Sequence, residues 1–270
     1  MIIGIDKGAS AVKLAAVDGD NVLFLKTLVG DERPLRDLYF EFLSENVRGE
    51  AQVEQIAVTG VGAEKAFFEG VTVPVTTVPE IMATGVGGTT LADVSNAVVV
   101  SIGTGTSLVL VRDGGCAHIG GSGVGSGTLR GLSRKMFGRQ DTRELFKLSE
   151  SGNRLTVDLT VGDLFSGTDT LPPDLTASNL AKAADGASEE DWAMAVVNMI
   201  LEVAGSHAAL ACRAYGIDTV IVTGGISAAK RSKEVYNNFS RLYHLNYIVP
   251  EYSAYATAIG AAEIAKRHGA

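Results

Sequence analysis

Asp6, Lys7, Gly8, Ala9 and Ser10 form a short polar turn directly after an opening apolar run, and Lys13 stands three residues further on. A carboxylate in that place can hold Mg²⁺ through water, and a lysine amine can offset phosphate charge. The same Asp6 side chain could instead cap its own turn. Three more small-residue turns follow apolar runs: Gly103-Thr104-Gly105-Thr106-Ser107, the loop 120–127, and Gly224-Gly225. Glycines at strand ends remove side-chain bulk and let N–H groups point at phosphate oxygens, although tight hairpins use the same residues. No G-x-x-x-x-G-K-[ST] is present. The 120–127 loop ends in Gly125, Ser126 and Gly127 ahead of Thr128, which suits an anion site at a helix start. It lacks the acidic residue about twenty positions on that a dinucleotide requires, so a nucleotide phosphate fits better than NAD.

Glu80 follows Val78-Pro79 and precedes the small-residue stretch 81–88. Proline fixes the backbone before it and sets the carboxylate at a strand-to-helix junction. A carboxylate near a phosphate loop can accept the proton of an attacking hydroxyl; a first-turn glutamate favoured by the helix dipole gives the same pattern. His118, just before the glycine loop, is either a polar contact to a substrate or a satisfied, partly buried imidazole. His207, within an apolar helix, is expected to be a core residue with a partner. Neither belongs to a Ser-His-Asp, Cys-His or metal-ligand arrangement.

The elements that must position these groups follow from periodicity. Strands are expected at 1–5, 11–17 and 22–27, a helix at 35–47 with apolar residues at Leu35, Leu38, Tyr39, Phe42 and Leu43, a strand at 55–59, a short helix at 63–68 and a strand at 72–77. The second half repeats the grammar: strands at 97–102, 107–111 and 116–119, then a helix at 128–137. Segment 150–173 lacks periodicity and reads as a loop-rich insertion or flap. A long helix is expected from a Ser188/Asp191 capping box to about Tyr215, with Gly216 at its C′ position. A strand at 219–223, a helix at 230–240, a strand at 245–249 and a helix at 254–266 close the chain. Two meanders, each followed by alternating strands and helices, imply an α/β fold with duplicated mixed β-sheets flanked by helices.

Composition narrows the function classes. The 270 residues are 46% apolar and 20% charged, as globular chains are, while 32 glycines, about 12%, exceed the usual share of roughly 7%. Only 6 prolines accompany them, so the glycines suggest backbone brought close to something. A net charge of −8 and the absence of a basic cluster argue against nucleic acid. Two cysteines, Cys116 and Cys212, are too few for a disulfide framework or zinc site, and a reduced, cytoplasmic setting is expected. The chain opens on a strand-like run, so no signal peptide is expected. The apolar stretch 192–214 carries Asn198, Glu202, His207 and Arg213, which favours a buried helix over a membrane span.

These motifs together resemble the type II pantothenate kinases, within the actin-like superfamily of acetate and sugar kinases, heat-shock 70 proteins and actin. The resemblance rests on Gly4-Ile5-Asp6-x-Gly8 with Lys13, on the run 101–107, and on Ile119-Gly120-Gly121-x-Gly123-x-Gly125-x-Gly127 with Gly131-Leu132. The segments Asp174-Leu175-Thr176-Ala177-Ser178-Asn179 and Ala258-Ile259-Gly260-Ala261 complete it. It implies a two-lobed actin-like ATPase fold, with lobes at 1–93 and 94–270, and ATP and Mg²⁺ in the cleft between them. It also implies a homodimer built partly on the helix near 188–215. The nucleotide would meet Asp6, Lys7, Gly8, Ala9, Ser10, Lys13, Thr104, Gly125, Ser126, Gly127, Thr128, Gly224 and Gly225, with Asp6 holding Mg²⁺ through water. Thr104, Ser107 and His118 would contact the substrate, and Glu80 would be the catalytic base. The family reaction phosphorylates the primary hydroxyl of pantothenate, the first step of coenzyme A synthesis.

Two positions depart from the family pattern. The first loop is usually Asp-x-Gly-Gly-Thr; here Ala9 narrows backbone freedom and Lys7 adds bulk, while Ser10 keeps the hydroxyl. His118 stands where the family has an arginine that contacts pantothenate, and a neutral imidazole lacks that permanent two-pronged charge. A related acceptor such as pantetheine, or a non-catalytic regulatory paralogue, is the alternative. Activases of 2-hydroxyacyl-CoA dehydratases share the fold class, but their cluster-binding cysteine motifs have no counterpart at Cys116 or Cys212.

Overall fold

The structure is a computed structural model and describes residues 1–47, 52–61, 68–139, 141–165 and 171–269. The short helix expected at 63–68 lies almost entirely outside the described residues. Strands β1 (Ile2–Lys7), β2 (Ala11–Asp18) and β3 (Asn21–Val29) form an antiparallel meander. Helix α1 (Leu35–Asn46), β4 (Gln55–Gly60), the short β5 (Val75–Thr77) and α2 (Glu80–Ala92) follow. The pattern then recurs with β6 (Ala97–Ile102), β7 (Thr106–Arg112), β8 (Gly115–Ser122) and α3 (Ser126–Phe137).

An insertion holds α4 (Thr142–Ser149), β9 (Leu159–Thr160), α5 (Val161–Leu164) and β10 (Thr176–Ser178). The region expected to be loop-rich, 150–173, therefore carries β9 and α5, and β9 pairs antiparallel with β10 just beyond it. The 27-residue α6 (Glu189–Tyr215), β11 (Thr219–Thr223), α7 (Lys230–Tyr243), β12 (Asn246–Ile248) and α8 (Ala256–Gly269) complete the chain. Helix α6 has the expected ends: Ser188 and Asp191 cap each other's N–H groups, and Gly216 sits in the left-handed conformation.

Both sheets have one topology. Their orders are β3-β2-β1-β4-β5 and β8-β7-β6-β11-β12, a three-stranded meander extended by two parallel strands. The duplication expected from the two meanders is thus present. Each sheet is apolar on both faces, because alternate residues of each strand meet a different helix layer. In the first sheet, Ile3, Ile5, Leu14, Ile56 and Val58 pack on α1. Its other face, with Ala15, Val17 and Ala57, packs on Ala258, Ala261, Ala262 and Ala265 of α8. In the second sheet, Val98, Val100 and Val222 pack on α6 and α7 through Val197, Ile200, Leu201 and Phe239. The opposite face, with Val99, Val109 and Val111, packs on Ile81 and Ala92 of α2.

The layers therefore run α1, first sheet, α8 with α2, second sheet, α6 with α7. A division at 93/94 separates the two sheets but not the helices: α2 precedes it yet lies on the second sheet, and α8 follows it yet covers the first. The two helices cross in backbone contact. A Cβ on Gly260 would stand 1.9 Å from the Ala83 carbonyl oxygen, and one on Gly87 would stand 1.8 Å from that of Ala256. Thr84 and Thr257 join their hydroxyls across the same crossing at 3.2 Å. Helix α6 is long and apolar enough to span a membrane by length and composition. Its Val196, Val197, Ile200, Leu201, Ala204, Ala208 and Cys212 nevertheless lie in the core.

Candidate active site

A polar row crosses the first sheet near the carboxyl ends of β1 and β4. Register pairs Thr27 with Lys13, Lys13 with Asp6, and Asp6 with Thr59. These residues share the face that packs on α8 lower down, since Ala15 and Ala57, two positions away on β2 and β4, point there. Asp6 is pushed up to about 6 by burial, with the Lys13 ammonium opposing and the Glu80 carboxylate adding to the rise. Burial lowers Lys13 in turn, against the pull of Asp6. Glu80 is the first residue of α2, after Pro79 at φ −59°, and is exposed. Two carboxylates from different elements thus lie close enough to interact, Asp6 half-buried and Glu80 exposed.

The second lobe meets this row through the 103–105 turn. The Ser10 and Thr104 hydroxyls are 2.9 Å apart, which ties the first polar turn to that of the second lobe. Every other glycine turn touches the same place. Gly224, at φ +91°, packs on the Ile102 backbone, where a Cβ would come within 2.4 Å of the carbonyl oxygen. A Cβ on Gly125 would meet the Thr104 and Gly103 carbonyl oxygens at 2.6 and 2.7 Å. The four turns picked out by residue type are therefore one spatial cluster centred on residues 102–105.

Not every N–H group there is free for a ligand. Those of Ser126 and Gly127, at the start of α3, donate to the carbonyls of Gly103 and Thr104 at 2.8 and 2.9 Å. Gly125 N–H donates to the Thr128 hydroxyl at 3.1 Å, and Gly8 N–H to the Ala11 carbonyl at 3.0 Å. The Thr106 hydroxyl donates to the Val124 carbonyl at 2.7 Å and pins the loop. Much of the glycine in 103–127 serves backbone-on-backbone packing, the hairpin alternative of the sequence reading. Gly123 and Gly225 differ, because nothing lies within 4 Å of where their Cβ atoms would be.

Ser107 and His118 lie on the α2 side of the second sheet. Ser107 alternates with Val109 and Val111, which face α2, and His118 is the register partner of Val109. The Ser107 hydroxyl is buried with no hydrogen-bond partner among the described residues, and His118 is exposed on the edge strand β8. Ala9 is absent from the non-glycine residues with positive φ, so the first turn does not require glycine there. Lys7 accepts the Val61 N–H at its carbonyl, 2.9 Å.

His207 corrects the sequence reading: it is exposed, because α6 turns the stripe carrying His207 and Leu210 outward while Ala204, Ala208 and Cys212 face the core. Sequence reasoning misses Thr59. It marks only a strand end there, and nothing in its type or spacing distinguishes it from an ordinary strand threonine.

The chain's thiols do not suit chemistry. Cys116 is raised mainly by burial and packs on Gly85, while burial pushes Cys212 up to about 12. Among the described residues no group of three or more His, Cys, Asp and Glu is placed to hold a metal. A cavity of about 190 Å³ beside α6 and α7, lined by Arg154, Asp174, Arg231 and Glu234, includes none of the candidate residues. Both arginines are engaged within the protein, Arg154 with Asp158, Thr176 and the Asp174 carbonyl, Arg231 with Asn198 and Glu234.

The fold is that of the actin-like ATPases and sugar kinases. The activator of 2-hydroxyisocaproyl-CoA dehydratase from Clostridium difficile, solved with bound ADPNP, superposes with TM-score 0.66 at 17% identity, over 99% of this chain and 96% of that one. A ROK family glucokinase from Streptomyces griseus, in complex with glucose and AMPPNP, gives 0.62 at 14% identity over 98% and 99%. Within this class the chain belongs to the Fumble family, whose model matches residues 89–262. It resembles curated type II pantothenate kinases, as its motifs indicate. One from Bacillus thuringiensis subsp. konkukian (strain 97-27) is 28% identical over 264 residues, covering 94% of this chain and 88% of its own. One from Staphylococcus aureus (strain MRSA252) is 26% identical over 278 residues, covering 98% and 100%.

Proposed function

We propose that this protein is an ATP-dependent kinase that phosphorylates the primary hydroxyl of pantothenate, with Glu80 as general base. That it is a phosphotransferase follows from its family and fold; the acceptor and the residue roles are the proposal. The observation that supports it is that the turn after β1, where Asp6 pairs with Lys13, is tied to the 103–105 turn by the Ser10 and Thr104 hydroxyls, with Glu80 close enough to raise Asp6.

Phosphoryl transfer needs positioning and charge neutralisation more than covalent help. Asp6, Ser10 and Thr104 offer only oxygen atoms as ligands. Mg²⁺ takes one or two carboxylates, phosphate oxygens and its own waters, so one shielded carboxylate with no hydrogen-bond donor suits it. Bound there, the ion would neutralise charge on the nucleotide phosphates. Lys13 adds a positive charge beside Asp6. Glu80, wet and at a helix N-terminus, would accept the proton of the acceptor hydroxyl. Gly123 and Gly225, with open space at their Cα atoms, let the nucleotide approach the backbone.

His118 on the rim is the residue that bears on acceptor choice. Without a permanent charge it favours no carboxylate, so the uncharged pantetheine is the second reading, and the exposure of His118 on β8 is the observation that favours it. A homodimer built partly on α6 belongs to the same proposal, supported by Leu210, 62% exposed on the outward stripe of the helix. A cytoplasmic setting is in keeping with two unpaired cysteines. The test is turnover of Mg-ATP against pantothenate, pantetheine and carboxylate-free analogues, with ADP and phosphorylated acceptor measured together. Phosphorylated pantothenate in step with ADP is expected; phosphorylation of none of the panel would refute the proposal.

A further inference from the structure

Asp6 lies between two neighbours in the polar row, and they treat it differently. On one side Lys13 supplies charge. At the end beyond Lys13, Thr27 is satisfied, since its hydroxyl donates to the Tyr255 hydroxyl at 2.9 Å. On the other side Thr59 is fully buried, and its hydroxyl has no hydrogen-bond partner among the described residues. Nearby buried threonines do not share this condition, as Thr84 and Thr257 bond each other. A buried hydroxyl without a partner is costly, and an isosteric valine would remove the cost. The half-buried carboxylate next to it accepts no hydrogen bond among the described residues.

A buried donor without a partner and a half-buried carboxylate thus stand in register on adjacent parallel strands. Neighbouring strands lie roughly 5 Å apart, so the two side chains are adjacent on one face. We propose that Thr59 is a positioning residue of the phosphotransfer site: its hydroxyl donates to the Asp6 carboxylate when that carboxylate turns to hold the hydrated cation of the nucleotide. One Asp6 oxygen is fixed by Thr59 and the other is left for the cation's water. Neighbours of this kind orient ligands they do not replace, and their loss typically weakens metal affinity by roughly ten- to a hundredfold. The inference rests on the nucleotide assignment above and concerns that same site.

The experiment compares wild type, Thr59→Val and Thr59→Ser. Calorimetry with the non-hydrolysable analogue AMPPNP is run with Mg²⁺ and with EDTA, beside steady-state kinetics and a urea melt of each variant. Thr59→Val removes the donor at constant shape. It is expected to weaken magnesium-dependent AMPPNP binding about tenfold and to raise the Mg²⁺ concentration needed for half-maximal turnover. The KM for the acceptor and the binding in EDTA should not move. Thr59→Ser keeps the hydroxyl and restores the magnesium effect. Wild-type magnesium dependence in a folded Thr59→Val would overturn the inference while leaving the kinase reading intact. Equal loss in the presence of Mg²⁺ and EDTA, unrescued by serine, would also overturn it. Absence of AMPPNP binding by the wild type would overturn the functional reading, and the inference with it.

Discussion

Asparagine in place of Asp6 should make the protein's stability respond differently to acid. Asp6 titrates at about 6 in the folded protein against an ordinary 3.8. Between those values the folded state holds a proton that the unfolded state has released. Stability from this group therefore falls as pH rises through the window, and is largest below about 3.8. A shift of about two units corresponds to about 3 kcal/mol over the whole window. Between pH 7 and pH 4.5 the linkage relation gives about 2 kcal/mol of that. The amide introduced by Asp6→Asn cannot titrate, so urea unfolding of both proteins at a series of pH values isolates the effect from the other acids. Relative to that variant, the wild type should gain about 2 kcal/mol on going from pH 7 to 4.5. Stability curves that stay parallel within about 0.5 kcal/mol would mean that Asp6 is not shielded, and the reasoning from its burial and from Glu80 would fail.

Other perturbations test neighbouring parts of the account. Gly260→Ala sets a methyl 1.9 Å from the Ala83 carbonyl and should cost about 3 kcal/mol in urea unfolding, as overpacking does. Asp158 is fully buried and accepts from Arg154, Asn198 and the Leu180 N–H. Asp158→Ala leaves Arg154 uncompensated, so a loss of about 3–5 kcal/mol and earlier proteolytic cleavage within 150–182 are expected. His118→Arg restores a charged donor on the rim and should raise the kcat/KM ratio of pantothenate over pantetheine about tenfold or more, the worth of a charge-assisted hydrogen bond; an unchanged ratio would remove His118 from the acceptor site.

How much of this was legible in the sequence depended on what each residue packs against. Helix α1 has one buried face, Leu35, Leu38, Tyr39, Phe42 and Leu43, so its period was plain. Strands β6 and β11 are buried on both faces and read as short apolar runs, 97–100 and 220–222, with sharp ends. Helix α2 was visible only through Glu80 at its start. Gly85, Gly87 and Gly88 meet three different neighbours, the Cys116 side chain, the Ala256 backbone and Val99, so the helix has no single apolar stripe to detect. For the same reason the exchange of α2 and α8 between the sheets could not be read from composition. Helix α4 was not anticipated at all, being eight residues long.

The candidate site was legible where chemistry and turn type coincide, as at Asp6, Ser10 and Thr104. It was illegible where a role depends on register, as at Thr59, whose position beside Asp6 exists only once β1 pairs with β4. The glycine loop shows the converse. Its composition suggested N–H groups aimed at phosphate, whereas Gly125 and Gly127 mainly allow two turns to stack, with the Ser126 and Gly127 amides already bonded.

The central claim is that the space between Asp6, Thr104 and Glu80 is where a phosphoryl group changes hands. Its most direct measurement is ADP release with pantothenate by wild type and Glu80→Gln, with nucleotide affinity determined on both proteins by calorimetry. The account predicts nucleotide affinity in the variant within about twofold of wild type, and turnover reduced at least about a hundredfold by loss of the proton acceptor. Undiminished turnover in Glu80→Gln would contradict it.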